Sequence, residues 1–321
     1  YLPKKDITCI YEDSKKSIWV GTKDDGLFRL DRNGGITNYG TAPHQNMLSS
    51  SYVRCIVEDN LGNYWIGTFK GLDKLNAATG TFTHYSKDNK PYSLSNSSII
   101  CMMKDRQGTF WIGTYYGGVN LFNPDYEIYT YYYPDEAQKG KLTSPFAGRM
   151  IEDSKGGIWI ATEGGGVNYL DRKTRTFTEY KHDVSKNSLA SNTIQSLFLD
   201  EDNQALWIGT LRGGLDRLDL KTYRFTNYRY NAEKKNSLIN DIVRKIIPYK
   251  GNLLLATHNG IGLFNPETGE CVKLLNDSRL NNRQIIDMLV DKKNNLWFSY
   301  SLGLIKYNLE TQKRNEYFVP N

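Results

Sequence analysis

The chain has 321 residues, which is long for one domain but within the range of a single all-β domain. Hydrophobic residues make up 39% and charged residues 24%, as in ordinary globular proteins, and the net charge of +6, with bases interleaved with acids, argues against a nucleic-acid partner. The apolar runs are far shorter than a membrane-spanning helix requires. No apolar leader follows Tyr1, so we expect a domain taken from a longer protein.

Two sequence markers recur along the whole chain. One is a leucine shortly before each predicted first strand, at intervals of 42 to 49 residues: Leu2, Leu48, Leu94, Leu142, Leu189, Leu238 and Leu280. The other is the motif Trp-Ile-Gly-Thr with its variants, which contains all six tryptophans: Trp19, Trp65, Trp111, Trp159, Trp207 and Trp297. A degenerate copy begins at Leu254, where the period requires one. Since both markers agree, the chain contains seven units.

Each unit predicts four short strands, and the second unit shows the order. An apolar run, Val53–Val57, is followed by an acidic turn and by the tryptophan strand, Tyr64–Thr68. A glycine turn leads to Leu72–Leu75, and a second turn leads to Thr81–Tyr85. The turn residues and the alternation of polar and apolar side chains predict an antiparallel meander.

Four strands in about 45 residues, repeated seven times, predict an all-β fold, a seven-bladed β-propeller of four-stranded antiparallel blades. We expect one domain over 1–321, with blades near 1–46, 47–92, 93–140, 141–187, 188–236, 237–278 and 279–321. The seventh unit ends in its own fourth strand, so neither terminus needs to lend a strand to complete a blade.

Three recurring features have structural roles in this prediction. Each tryptophan should lie between neighbouring blades, with an acceptor for its indole N–H. A small residue at the third motif position should let backbones approach closely: Gly21, Gly67, Gly113, Ala161, Gly209, Ala256 and Ser299. The glycine that opens each third strand should have a positive φ: Gly26, Gly71, Gly118, Gly166, Gly214, Gly260 and Gly303.

These motifs resemble a known family, the two-component regulator propeller repeats. The resemblance rests on Asn236–Val243, the Glu58-Asp59 turn, the Trp-Ile-Gly-Thr motif, Gly213–Leu215 and the fourth strand Phe82–Tyr85, each with its counterparts. It covers the whole chain. The sixth unit departs from it, because Leu254 replaces the tryptophan and Pro248–Lys250 replaces the acidic turn. The seventh has Ser299-Tyr300 in place of Gly-Thr.

The resemblance implies a sensor. Such propellers form the periplasmic, extracytoplasmic region of membrane-anchored hybrid two-component histidine kinases that control polysaccharide-utilisation genes. It implies an oligosaccharide ligand, further domains in the same chain and no enzymatic activity in this domain. A homodimer is left open, and no nucleic acid is expected to bind here.

A meander places the connections of a blade on two opposite edges. The loop edge carries the connection between strands two and three and the connection to the next blade, whereas the turn edge carries the other two. Long loops on a rigid scaffold commonly carry function, so we expect the ligand at the loop edge. Aromatic rings there can stack on sugars and guanidinium groups can bind carboxylates or sulfates, which favours an acidic oligosaccharide. The candidates are Arg54, Phe69, Tyr115, Tyr116, Arg149, Arg212, Arg244, His258 and Tyr300.

We expect Arg54, Arg149 and Arg244 to line a central mouth, because each lies near the start of a first strand. Arg149 is the weakest of the three, since it lies one position further along its strand than the other two. Strict alternation in a strand could therefore turn its side chain away.

Other patterns suggest chemistry but have simpler explanations. Paired acids such as Glu58-Asp59 recur in turns, where an aspartate caps the turn, although a glycosidase also needs two carboxylates. A polysaccharide lyase built from His182 and His258 stays open as an alternative, as does a dimerisation or interaction scaffold.

We expect no catalytic residue, metal ion or cofactor in this domain. Three cysteines share one register, Cys9, Cys55 and Cys101, and we expect them to be buried as small apolar side chains. Four cysteines in all are too few for a disulfide scaffold.

Overall fold

A computed structural model describes residues 6–40, 47–88, 93–123, 128–135, 140–275, 283–301 and 303–317. It contains 28 strands in seven four-stranded sheets, each in the meander order that the sequence predicts. The chain is a seven-bladed β-propeller, and every blade uses four consecutive strands, so the predicted fold class is confirmed. The described residues contain no helix that is long and apolar enough to span a membrane. Two compact units, 1–131 with 286–321 and 132–285, are described separately below.

The first unit holds blades 1, 2, 3 and 7. Blade 1 consists of β1 (Ile7–Glu12), β2 (Ile18–Thr22), β3 (Leu27–Leu30) and β4 (Ile36–Tyr39). Blade 2 consists of β5 (Val53–Glu58), β6 (Tyr64–Thr68), β7 (Leu72–Leu75) and β8 (Phe82–Tyr85). Blade 3 consists of β9 (Ile99–Lys104), β10 (Phe110–Thr114), β11 (Val119–Asn123) and β12 (Ile128–Tyr132).

The second unit holds blades 4, 5 and 6. Blade 4 consists of β13 (Ala147–Glu152), β14 (Ile158–Thr162), β15 (Val167–Asp171) and β16 (Thr176–Tyr180). Blade 5 consists of β17 (Ile194–Asp200), β18 (Ala205–Thr210), β19 (Leu215–Asp219) and β20 (Phe225–Tyr228). Blade 6 consists of β21 (Val243–Tyr249), β22 (Asn252–Thr257), β23 (Gly260–Phe264) and β24 (Cys271–Lys273).

Blade 7, in the first unit, consists of β25 (Ile285–Val290), β26 (Asn295–Tyr300), β27 (Gly303–Asn308) and β28 (Arg314–Tyr317).

The tryptophan of one blade packs against the next blade within each unit, as predicted. The Trp19 ring lies 4.3 Å from the Tyr64 ring of blade 2, measured between centroids. In the second unit, Trp207 lies 5.5 Å from Phe264 of blade 6. Because these rings are large and almost fully buried, they supply much of the apolar surface that holds blades together.

The small residue of the motif is required for this packing. A Cβ atom on Gly67 would lie 2.4 Å from Sγ of Cys55 and 2.7 Å from Ile99 of blade 3. Cys9, Cys55 and Cys101 are buried and form no disulfide among the described residues, which confirms that they pack as small side chains. The seven glycines that open third strands all have positive φ, between 68° and 156°.

Backbone hydrogen bonds confirm the two edges of a blade. At the loop edge, the amide of Phe69 donates to Tyr52 O at 3.0 Å, which joins the β6–β7 connection to the segment entering β5. At the turn edge, the amide of Leu220 donates to Gln204 O at 2.8 Å, which joins the two turns of blade 5.

The first strand of several blades contains a β-bulge near its start. In β5, Val53 pairs with Thr68 and Cys55 with Gly67, so Arg54 is the extra residue. In β21, Val243 pairs with Thr257 and Lys245 with Ala256, so Arg244 is the extra residue. A bulge redirects side chains locally. These arginines therefore do not follow the simple alternation of a strand.

Candidate functional site

The recurring acids belong to the turns rather than to a catalytic pair. Asp59 Oδ1 accepts hydrogen bonds from the amides of Leu61 and Asn63 at 2.9 and 2.8 Å, and Oδ2 accepts from Trp65 Nε1 at 3.0 Å. The carboxylate of Glu58 accepts from the amide and the hydroxyl of Ser14 in blade 1, both at 2.7 Å. One carboxylate caps its own turn and the other joins two blades.

A second set of buried polar side chains lies two residues into the third strands. It comprises Asp73, Asn120, Asn168 and Asp216. Asp216 Oδ2 accepts from the amide of Ala190 at 2.8 Å, and Oδ1 accepts from Nδ2 of Asn227 at 2.7 Å. Burial raises the pKa of Asp216 to about 6. These side chains hold the segment that follows the leucine marker, a role that the sequence analysis missed.

The second unit brings two predicted residues, Arg244 and His258, into contact. Arg244 Nε donates to Nε2 of His258 at 3.2 Å. Gln284 completes the group, which we call the Arg244 cluster. The Gln284 amide is oriented with its oxygen toward the guanidinium. In this orientation the oxygen lies 2.8 Å from Nε and 3.0 Å from Nη2 of Arg244, and the amide nitrogen lies 3.1 Å from Nε2 of His258. Sequence reasoning missed Gln284, which directly precedes β25.

The Arg244 cluster is a half-buried cation among neutral groups. Burial lowers the pKa of Arg244, and burial together with the adjacent guanidinium charge lowers the pKa of His258. His258 is therefore neutral at physiological pH with Nε2 as an acceptor, which leaves the proton on Nδ1. Within the described part of the chain, the hydrogen-bond partners of Arg244 are the neutral groups of His258 and Gln284.

This arrangement suits an anion. A guanidinium has five N–H donors, whereas the cluster offers it one amide oxygen and one ring nitrogen. The N–H groups of Arg244 that are not used within the cluster can bind a carboxylate or sulfate through paired hydrogen bonds. The Nδ1–H of neutral His258 is a further donor in the same cluster.

In the first unit, Arg54 has a different environment. Its guanidinium lies over the rings of Tyr52 and Phe69, 4.5 and 5.2 Å from their centroids. Nη1 donates to Oγ of Ser98 at 2.9 Å and to Ile99 O at 3.2 Å, both in the segment that begins blade 3. Arg54 thus joins blades 2 and 3.

Exposed aromatic rings surround this part of the loop edge. Phe69, Tyr115 and Tyr116 are 51%, 42% and 56% exposed. The rings of Tyr115 and Tyr116 meet edge to face, with centroids 4.7 Å apart. Tyr116 has φ of 63°, a conformation that favours glycine, and the equivalent residue of blade 4 is Gly164. Retaining a large ring in this strained conformation suggests a use for its exposed surface.

The other candidates lie in distinct places. Arg212 is exposed and has φ of 64°, at the loop position in blade 5 that Tyr116 occupies in blade 3. Arg149 lies with Gly148 in a bulge of β13, where simple alternation does not predict the direction of a side chain. Tyr300 is the last residue of β26, at the edge of the β26–β27 connection, and is only 1% exposed. We leave it out of the proposed site.

Each candidate is described within its own unit. Arg54, Phe69, Tyr115, Tyr116 and Tyr300 belong to the first unit, and Arg149, Arg212, Arg244 and His258 to the second. The mouth formed by Arg54, Arg149 and Arg244 therefore stays a prediction.

His182 and His258, the pair considered for a lyase, contact different residues. Nδ1 of His182 lies 2.5 Å from Leu189 O, and its amide donates to Oδ1 of Asn192 at 2.7 Å. His258 instead contacts Arg244. Among the described residues, no group of three or more metal-binding side chains could hold a metal ion.

The fold defines a β-propeller in which one four-stranded unit is repeated seven times. Four segments, 1–24, 47–70, 93–116 and 188–212, match the family described as two component regulator propeller. The chain therefore carries two-component regulator propeller repeats, which confirms the resemblance seen in the sequence. No curated protein sequence matches the chain.

Solved structures share the fold. The extracellular domain described as that of hybrid two-component system BT3049 from B. thetaiotaomicron is 24% identical over 85% of this chain and 35% of its own, with a TM-score of 0.70. The corresponding domain of BT4673 from the same organism is 22% identical over 98% of this chain and 49% of its own, with a TM-score of 0.53. This chain thus spans half or less of either relative. A streptogramin B lyase is 16% identical over 98% of this chain and 95% of its own, with a TM-score of 0.70.

Proposed function

We propose that this chain is the ligand-sensing propeller in the extracytoplasmic region of a membrane-anchored hybrid two-component histidine kinase. The propeller repeats and the likeness to extracellular domains of two-component systems support this role. Its ligand is an acidic oligosaccharide released from a polysaccharide that the controlled genes help to use. Binding favours one of two states of the longer protein through a difference in affinity, so the domain signals without catalysing a reaction.

The Arg244 cluster is the observation that carries the choice of ligand. Its guanidinium is partly desolvated, and its partners among the described residues are neutral. A buried charge without a counter-charge is costly, and a bound carboxylate or sulfate would offset that cost. In the first unit, the exposed rings of Phe69, Tyr115 and Tyr116 can stack on the apolar faces of sugars. Each unit, taken by itself, thus presents side chains that suit one chemical feature of an acidic sugar ring.

Calorimetric titration tests the proposal. Oligogalacturonate and chondroitin sulfate oligosaccharides are added to the wild type and to Arg244→Gln, and carboxyl-reduced oligogalacturonate provides the neutral control ligand. We expect Arg244→Gln to weaken binding by about tenfold or more, since a hydrogen-bonded ion pair is lost. The matched control is Arg172→Gln, because Arg172 pairs with Glu152 at 3.5 Å at the turn edge of the same unit.

The pH dependence gives a second readout. Protonating His258 adds a positive charge beside Arg244, so binding of an acidic ligand should strengthen as the pH falls toward the lowered pKa of His258. His258→Asn should flatten this profile. Unchanged affinity in Arg244→Gln would move the site elsewhere, and no binding of any acidic oligosaccharide would favour the interaction scaffold.

The proposal assigns no reaction to this domain, although the enzyme alternative has a direct test. The recurring acids are committed to turns and blade contacts, which removes the simplest glycosidase pair. Incubation with uronic-acid and neutral polysaccharides should release no new reducing ends or unsaturated products. Turnover that His182→Ala or His258→Ala abolishes would instead establish a lyase.

A further inference from the structure

Four of the six tryptophans share one arrangement at the turn edge. The indole N–H donates to the aspartate six residues earlier at 2.8 to 3.0 Å, in the pairs Trp19–Asp13, Trp65–Asp59, Trp111–Asp105 and Trp297–Asp291. Blades 4 and 5 depart from this arrangement. In blade 4, the hydroxyl of Tyr169 donates to Oδ2 of Asp153 at 2.9 Å. In blade 5, Trp207 is 1% exposed, and its Nε1 has no hydrogen-bond acceptor among the described residues.

The turn of blade 5 explains this exception. It is one residue longer, so Asp200 lies seven residues before Trp207 rather than six. The Asp200 carboxylate instead accepts from the amide and Nδ2 of Asn203 at 3.2 and 2.9 Å. Glu201, six residues before Trp207, accepts from the amide of Ser154 in blade 4 at 2.6 Å. Both nearby carboxylates are therefore engaged elsewhere.

Blade 6 departs from the repeat at the adjoining position. Leu254 replaces its tryptophan, and Pro248-Tyr249-Lys250 replaces its acidic turn. Between the two exceptional turns lies a cavity of about 600 Å³, which we call the turn-edge cleft. The corresponding cavity between blades 4 and 5 of the same unit is about 140 Å³. The enlarged space thus occurs where two irregular repeats meet.

The lining of the turn-edge cleft restricts the chemistry of an occupant. Trp207 supplies a buried donor, which requires a hydrogen-bond acceptor. Tyr228, Tyr249 and Pro248 supply apolar walls. Charges of both signs are present, so a bare anion would meet acidic side chains such as Glu267, and a simple cation could not accept from the indole. A neutral ring with several hydroxyl groups satisfies all these conditions, since each hydroxyl both donates and accepts.

We propose that the turn-edge cleft binds one neutral sugar ring. Because Nε1 of Trp207 is buried, the side chains that cover it must shift on binding, so that a hydroxyl or ring oxygen of the sugar can accept from it. This site lies at the opposite edge of the blades from the Arg244 cluster and does not depend on it. Arg217 and Tyr228 cover the ring of Trp207, at 6.0 Å from its centroid in each case, so the N–H rather than the ring face makes the contact.

Indole resonances provide the test. The protein is labelled with ¹⁵N-tryptophan and titrated with millimolar glucose, galactose, mannose, xylose and N-acetylglucosamine in turn. The Trp207 signal is identified by its disappearance in Trp207→Phe. We expect it to shift saturably with at least one sugar while the Trp65 signal stays in place. Trp207→Phe, followed by calorimetry, should weaken that binding by about tenfold, and Trp65→Phe should not.

Two further variants keep the outcomes distinct. Tyr249→Ala alters a cleft wall at an irregular turn and should also weaken sugar binding without loss of the folded state. Arg244→Gln should leave the Trp207 shift unchanged, so failure of the acidic-ligand proposal is separable from failure of this one. If no sugar shifts the Trp207 signal, the cleft holds only water and the proposal is refuted.

Discussion

Replacing tryptophan by phenylalanine should cost much more stability in blade 2 than in blade 5. Trp65 and Trp207 are matched, since both are 1% exposed and each has a cation near its ring. Each substitution shrinks a buried ring, at about 1–2 kcal/mol. Trp65→Phe also breaks a hydrogen bond to the Asp59 carboxylate, worth about 1.5–3 kcal/mol. Trp207→Phe instead removes a buried donor that has no acceptor among the described residues, and this removal should raise the free energy of unfolding by about 1–3 kcal/mol.

We therefore expect Trp65→Phe to lower the free energy of unfolding by about 2.5–5 kcal/mol. For Trp207→Phe we expect an outcome between a loss of about 1 kcal/mol and a gain of about 2 kcal/mol. Urea unfolding followed by far-ultraviolet circular dichroism measures both, provided that the m-values stay unchanged. Deleting Gln204 would place Asp200 six residues before Trp207 and should raise stability. Equal losses for the two substitutions would refute the hydrogen-bond argument.

Two further predictions concern buried polar and glycine positions. The pKa of Asp216 is raised to about 6, so its stabilising contribution is complete below the unfolded pKa of 3.8 and is lost as the pH rises through 6, by up to about 3 kcal/mol. As the pH is raised from acidic to neutral, the melting temperature of Asp216→Asn should therefore increase relative to that of the wild type. Parallel melting-temperature profiles for the two proteins would contradict this. Gly209→Ala should cost more than about 2 kcal/mol, because its Cβ would lie 2.2 Å from Oγ of Ser196 and 2.5 Å from Val243 O. Gly40→Ala, whose Cβ would meet ordinary contacts, is the control, and equal melting temperatures would remove the packing argument.

The sequence predicts the scaffold well because every scaffold feature occurs several times. The number of blades, the position of Trp65 between blades and the positive φ of Gly71 each follow from a motif that recurs at a fixed register. A single copy would be ambiguous. Agreement among copies separates a structural requirement from chance, since each blade meets the same packing problem.

The candidate site is harder to predict because some of its contacts come from the segment that begins the next blade. Arg54 and Arg244 occupy the same bulge position, yet one is held by Ser98 and the other by His258 and Gln284. Ser98 and Gln284 lie 44 and 40 residues further along the chain than the arginines they contact, so no local pattern distinguishes the two arginines. The bulge also invalidates alternation as a guide to the direction of Arg149.

Two kinds of departure from the repeat are informative. One leaves a buried polar group without a hydrogen-bond partner, and the other places a residue other than glycine at a positive φ. A buried indole N–H without an acceptor costs about 1–3 kcal/mol, and a non-glycine residue at positive φ costs about 1–3 kcal/mol. The turn of blade 5 could avoid the first cost by losing one residue, and Tyr116 could avoid the second by becoming glycine, as in blade 4. Neither change would disturb the core of a blade. Because such small changes are open to the sequence, we propose that ligand binding at Trp207 and Tyr116 offsets these costs.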